Sequence, residues 1–254
     1  MNGMDADTKT GHARSFDAAA DSYERSRPGY PAEAVAWVVP EPPRRVLDLG
    51  AGTGKLTRQL VAAGHDVVAV EPLPGMRAEL AAAVPTAAAL AGSAEAIPLP
   101  AADVDAVLVG QAWHWFDHAA AAAEIGRVLR SGGSLGLIWN FADERVGWVE
   151  QLWRMMHEAS GDGPYEGMRG EGEPPALNPS FAPAEQRIFA FEHRLDAETL
   201  LDLVQSRSYV IRLTEERRAR LLADVKDLVR DTPELAGETF VLPYRTRVWR
   251  AGRR

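Results

Sequence analysis

The residues with evident chemistry gather first in the run Asp48-Leu49-Gly50-Ala51-Gly52-Thr53-Gly54. An apolar stretch, Val46 to Leu49, enters three glycines at alternate positions, and the apolar spacing of Leu56, Leu60 and Val61 then predicts a helix. This order reads as a strand, a tight turn and a helix N-terminus. Glycine lacks a Cβ, so it takes positive φ and lets a ligand approach the backbone closely. The unpaired N–H groups of the helix start suit an anionic or polar ligand. Some way downstream, Glu71 closes a second apolar run, where a carboxylate can accept hydrogen bonds from a ribose diol. A structural turn and a solvated strand-end carboxylate are the alternatives for each feature alone. Together they point to an adenosine ligand.

Three kinds of glycine turn compete for this stretch. A phosphate-binding P-loop needs a glycine before and a Ser or Thr after its Gly-Lys pair, and Leu49 and Leu56 hold those places, so that reading fails. A dinucleotide fingerprint would place its last glycine at Lys55, and the chain has it one residue early, at Gly54. The run Asp48 to Gly54 resembles motif I of the class I S-adenosylmethionine (SAM) dependent methyltransferases. Gly92-Ser93-Ala94-Glu95 resembles that family's loop bordering the adenine, with Ser93 where an aspartate is common. Further on, Gln111-Ala112-Trp113-His114-Trp115-Phe116 joins Phe16, Tyr23 and Arg27-Pro28-Gly29-Tyr30-Pro31. With these the chain resembles the small-molecule methyltransferases similar to trans-aconitate methyltransferase, closely from Phe16 to Arg130 and in outline beyond. The later matches Arg207-Ser208-Tyr209 and Pro243-Tyr244-Arg245 read as helix packing and strand pairing.

The resemblance implies SAM as cofactor, held by Tyr23, Arg27, Asp48, Gly50, Ala51, Gly52, Glu71, Pro72, Ser93, Ala94, Glu95 and Gln111. It implies an acceptor bordered by Tyr30, His114, Trp115 and Asn140, with His114 and Arg27 as the residues closest to chemistry, and no metal. Two readings stay open at several of these positions. His114 is a general base or oriented packing between two tryptophans. Trp113, Trp115 and Phe116 line the site or cap the core below the fourth strand. Arg27 is the solvated end of a helix, or a fork of donors for a carboxylate of SAM or of the acceptor. Asn140 contacts the acceptor or caps a turn. Glu71 would serve NAD as well as SAM.

The elements that must position these residues alternate. Helices are expected at Phe16 to Arg25 and Ala32 to Val39, strands at Val46 to Leu49, His65 to Val70, Ala87 to Ala91 and Asp103 to Gly110, with helices between them. A helix over Ala119 to Leu129 should end at Ser131-Gly132-Gly133, and a fifth strand, Ser134 to Trp139, should open at Asn140. A helix over Val146 to Ala159, a sixth strand at Phe189 to Leu195, helices at Ala197 to Arg207 and Glu215 to Arg230, and a last strand at Thr239 to Arg250 complete the series. The pattern predicts an α/β, Rossmann-like, doubly wound sheet. By the resemblance it is mostly parallel and seven-stranded, with an antiparallel last strand. The expected organisation is a flexible N-terminus over 1–14 and one domain over 15–254, with a helical lid at 15–40 and a Gly/Pro-rich insertion at 160–180.

Composition bounds the function. With 254 residues, 46% hydrophobic and 25% charged, the chain suits a globular protein with a sizeable core. A net charge of −8 argues against non-specific nucleic-acid binding. The absence of cysteine excludes disulfides, thiolate metal sites and a cysteine nucleophile. No apolar run is long enough for a membrane span, so the expectation is a cytoplasmic monomer or homodimer. The expected activity is methyl transfer from SAM to a small molecule, a carboxylic acid for preference. An NAD-dependent oxidoreductase and a non-catalytic SAM-binding protein are the alternatives.

Overall fold

The computed structural model describes residues 26–39, 44–161 and 177–254. The expected helix Phe16 to Arg25, with Tyr23, lies outside the described residues, as does most of the 160–180 insertion. The elements in chain order are α1 (Ala32–Val38), β1 (Arg45–Leu49), α2 (Lys55–Ala62), β2 (Asp66–Val70), α3 (Pro74–Ala83), β3 (Ala88–Leu90), β4 (Val104–Gly110), α4 (His118–Val128), β5 (Leu129–Ala142), α5 (Gly147–Ser160), β6 (Glu185–Leu195), α6 (Ala197–Gln205), α7 (Ser208–Ile211), α8 (Glu215–Asp231) and β7 (Phe240–Gly252).

The strands form one seven-stranded sheet in the order β3-β2-β1-β4-β5-β7-β6. β1 pairs in parallel with β2, Val46 facing Val67, and with β4, Val46 facing Ala106. β2 pairs in parallel with β3 and β4 with β5, whereas β7 runs antiparallel between β5 and β6. This is the expected Rossmann-like architecture. The near-continuous apolar runs of β1, β2 and β4 follow from burial on both faces. Because the order reverses beside β1, a crevice opens at the carboxyl ends of β1 and β4, the place where α/β sheets take ligands.

The described residues pack as two compact units. The first holds 26–28, 141–161 and 190–245, with a core that includes Leu152, Met156, Leu200, Leu203, Val225 and Leu242. The second holds 29–39, 44–140, 177–189 and 246–254, with a core that includes Val35, Val46, Leu60, Leu108, Ile138 and Val248.

Two boundaries differ from the expected ones. Ser131-Gly132-Gly133 does not end α4. The helix stops at Val128, the chain enters β5 directly at Leu129, and the pairing jumps from Val104–Leu129 to Ala106–Ser134. The glycines therefore form a bulge, in which a Cβ on Gly133 would lie 2.8 Å from the Asp105 carbonyl oxygen. β5 also runs on past Trp139 to Ala142, so Asn140 lies inside the strand and does not cap a turn. A further short helix, α7, and a 3₁₀ turn at Trp113–Trp115 stand where the sequence suggests helix end and loop.

Candidate functional site

The glycine turn between β1 and α2 is built from three different needs. Gly50 and Ala51 donate to the Val70 carbonyl at 2.8 and 3.2 Å, which anchors the turn to the end of β2. Gly50 has φ +71, and a Cβ there would lie 2.8 Å from Ala112 Cβ and 3.2 Å from Phe116 Cζ. The loop after β4 thus presses on Gly50. Gly54 is the N-cap of α2 and packs on Leu80. Gly52 differs. Its φ is +57, yet no atom of the described residues lies within 4 Å of a Cβ built there, so among the described residues the backbone at Gly52 faces open space.

Two buried carboxylates flank this turn. Asp48 is 1% exposed and accepts a 2.6 Å hydrogen bond from Thr57 Oγ1, which ties β1 to α2. Burial pushes its carboxyl up to about 7, against the pull of the Thr57 hydrogen bonds, and the negative Glu71 adds to the rise. Glu71, at the end of β2, accepts from Gly52 N at 2.9 Å through Oε2 and from Leu73 N at 2.9 Å through Oε1. Its carbonyl takes Arg77 Nη1 at 2.8 Å, and Pro72 carbonyl takes the same group at 3.2 Å. Both Glu71 oxygens are thereby fixed beside the open face of Gly52. A carboxylate set at that strand end is the acceptor a ribose diol requires, and the open Gly52 lets a ligand reach the backbone. The residues present fit an adenosine cofactor.

The loops after β3 and β4 carry the other residues expected at the cofactor. Ser93 bridges to Ala96, Ala94 is buried, and Gly92 is closed in by Pro98, 2.6 Å from a built Cβ. Glu95 Oε1 accepts from Asp117 N at 2.9 Å, so its carboxylate ties this loop to the start of α4. Gln111 holds φ +59, an uncommon conformation for a residue with a side chain; its N–H donates to Ile138 carbonyl, and Nε2 reaches Asn140 carbonyl at 3.4 Å. Trp113 is buried and stacks on His118 at 5.0 Å, so this tryptophan caps the core. His114 is exposed, its ring 4.6 Å from that of Trp115.

Tyr30 and Asn140 turn out to hold the chain together. Tyr30 N donates to Gln59 Oε1 at 2.8 Å and its carbonyl accepts from Gln59 Nε2 at 2.6 Å. The Tyr30 hydroxyl lies over Gly110, 2.6 Å from a built Cβ, which only glycine there permits. Asn140 is buried; Nδ2 donates to Gly29 carbonyl at 2.8 Å and Oδ1 accepts from Thr246 Oγ1 at 2.6 Å. Asn140 is thus a clamp between β5, β7 and the Gly29 turn. Arg27 belongs to the first unit, where Nε donates to Ser206 Oγ at 3.0 Å and Nη2 to Ser206 carbonyl at 3.3 Å. The sequence pattern does not mark Thr57, Gln59 and Thr246, because each acts through a partner distant along the chain.

A family model described as a methyltransferase domain matches residues 47–137, the stretch that carries the glycine turn, Glu71 and the loop after β4. An uncharacterized methyltransferase of Mycobacterium bovis is 48% identical over 237 residues, covering 91% of this chain and 93% of that protein. The chain belongs to the class I SAM-dependent methyltransferases. Its cofactor is therefore SAM, and the NAD reading is set aside. A trans-aconitate 2-methyltransferase of Methylobacterium radiotolerans is 30% identical, covering 78% of this chain and 82% of that one. Among solved structures, one from Anaeromyxobacter dehalogenans, described as a type II methyltransferase, is 25% identical with a TM-score of 0.68, covering 89% of this chain and 97% of the other. As in the sequence expectation, no helix among the described residues is long and apolar enough to cross a membrane.

Proposed function

We propose that this methyltransferase transfers the methyl group of SAM to a carboxylate oxygen of a small organic acid. The observation that carries the reading is the 30% identity with a trans-aconitate 2-methyltransferase across most of both chains. In this reading Arg27, whose guanidinium is held on Ser206 by two hydrogen bonds, is the residue assigned to the acceptor carboxylate. In the same reading Gly50, Ala51, Gly52, Glu71, Pro72, Ser93, Ala94 and Gln111 border the cofactor, while Tyr30, His114 and Trp115 border the acceptor. Asp48, Glu95 and Asn140 serve it from behind, by holding the loops.

When bound, SAM supplies a sulfonium methyl that is displaced in line, the sulfur keeping the electron pair of the broken bond while a carboxylate lone pair forms the new one. The protein's part is to align the acid, exclude water and fix the donor. A carboxylate is already ionised at neutral pH, so no side chain needs to remove a proton. The exposed His114 is consistent with that economy.

The test is methyl transfer from radiolabelled SAM to separate panels of organic acids, phenols and amines. A product whose label is released by mild alkali, as a methyl ester requires, is the expected result. Label that accumulates only in alkali-stable ethers or N-methyl products would overturn the acceptor class.

A further inference from the structure

Among the described residues that carry a side chain, Ala102 and Gln111 hold positive φ, +52 and +59. Ala102 precedes β4, at the amino end of the strand. Gln111 follows the last residue of β4, at the carboxyl end of the sheet where the glycine turn also lies. The left-handed region brings a Cβ against the following carbonyl, so a side chain is retained there at a cost in stability that its surroundings must offset. Glycine fills the other positive-φ positions beside this crevice, Gly50, Gly52 and Gly54. A glutamine in their company stands there for its side chain.

β4 does not end for want of a partner. Gly110 faces Ile138, the Gln111 N–H donates to the Ile138 carbonyl at 2.9 Å, and β5 runs on through Asn140. Continued as a parallel strand, the chain would next aim the Trp113 N–H at the Asn140 carbonyl. Instead the left-handed turn at Gln111 takes it out of the sheet and into the 3₁₀ turn Trp113–Trp115. The Gln111 amide fills the place that the ladder gives up, with Nε2 reaching the Asn140 carbonyl at 3.4 Å. That carbonyl is itself fixed, because the buried Asn140 donates to Gly29 and accepts from Thr246.

The turn delivers Ala112 and Phe116 to the glycine turn, where their side chains stop 2.8 and 3.2 Å from a Cβ built on Gly50. All of these residues lie in the second unit. We propose that Gln111 is a positioning residue for SAM: its strained backbone ends β4 and its amide anchors the departing chain on Asn140, so that Ala112 and Phe116 hold Gly50 in the conformation that receives the cofactor. The inference rests on the reading that Gly50 borders the cofactor, and it adds a residue that acts on the cofactor through Gly50. The loop is then ordered before SAM arrives, and the strain at Gln111 is the stability given up for that order.

The test uses the full chain, with thermal unfolding of the ligand-free protein and calorimetry of S-adenosylhomocysteine binding on the same variants. Gln111→Gly takes the left-handed backbone without strain but loses the amide. Its melting temperature should equal the wild-type value or exceed it by up to about 4 °C, while its affinity for S-adenosylhomocysteine falls about 5- to 20-fold, because the loop must now be ordered on binding. Gln111→Glu keeps the strain and sets an acceptor against the Asn140 carbonyl, so it should melt about 2 to 4 °C lower and also bind more weakly. Phe116→Ala should weaken binding by a similar factor. Combined with Gln111→Gly it should lose no more than about twofold beyond the weaker single variant, since both act through one contact. A residue that only packs would lose stability and affinity together. Gln111→Gly with wild-type affinity, with a melting temperature well below wild type, or with a loss that multiplies that of Phe116→Ala would overturn the positioning role. Glu71→Ala separates this role from the cofactor reading: affinity that falls in Glu71→Ala but not in Gln111→Gly removes the positioning role alone, and affinity that falls in neither removes both.

Discussion

Replacing Asp48 by Asn isolates the most perturbed carboxyl of the site. Asp48 is buried under the glycine turn, and its carboxyl is pushed from the ordinary 3.8 up to about 7, chiefly by burial. The sign of the effect on folding follows from proton binding. Between those two values the folded chain keeps the proton and the unfolded chain has lost it, so stability falls as pH rises through this window. Below it both states are protonated and the penalty vanishes; above it the penalty is complete. The rise corresponds to about 4 kcal/mol, an upper bound, since water entry and relaxation reduce it. Asn keeps an oxygen to accept from Thr57 Oγ1, now 2.6 Å from Asp48 Oδ2, and has no charge to desolvate. Denaturant unfolding of wild type and Asp48→Asn should therefore give similar stabilities near pH 4 and diverge as pH rises, with the variant the more stable by about 2 to 4 kcal/mol at pH 8. Parallel profiles across this range, or a variant that loses stability only at high pH, would refute the reasoning.

The glycines of the turn should separate in effect. Gly50→Ala drives a Cβ to 2.8 Å from Ala112 and should cost about 2 kcal/mol or more in denaturant unfolding, whereas Gly52→Ala meets no atom of the described residues and should cost about 1 kcal/mol of backbone strain while weakening SAM binding at least about tenfold. Asn140→Ala removes the bonds to Gly29 and Thr246 and should destabilise the chain by about 2 to 3 kcal/mol, with KM for the acceptor changed no more than KM for SAM. His114→Ala should leave kcat for an acid acceptor within about twofold and add no pH dependence; a loss of roughly 10²-fold in kcat would instead require a hydroxyl or amine acceptor that needs a base.

The parts of the fold legible in sequence are those whose signal is local. The unbroken apolar runs of β1, β2 and β4 announce strands buried on both faces, and the glycines between Leu49 and Lys55 announce the turn. Glu71 was legible because its place at a strand end is fixed by the run before it. Other features depend on partners far along the chain. Asn140 reads as an acceptor contact or a turn cap because nothing nearby reveals that Thr246 and Gly29 will meet its amide inside β5. Ser131-Gly132-Gly133 carries a helix-stop signal, but pairing with β4 captures Leu129 first and turns the glycines into a bulge. β6 begins at Glu185, earlier than its apolar pattern suggests, because its first residues are exposed on a sheet edge and carry polar side chains.

If Glu71 and the open backbone at Gly52 hold the adenosine end of SAM, calorimetric titration of wild type and Glu71→Ala with SAM and with NAD will reveal it. SAM should bind wild type and NAD should not, and the loss of the carboxylate fixed on Gly52 N and Leu73 N should weaken SAM by about 2 to 4 kcal/mol. Undiminished SAM binding by a folded Glu71→Ala chain, or tight NAD binding by wild type, would contradict it.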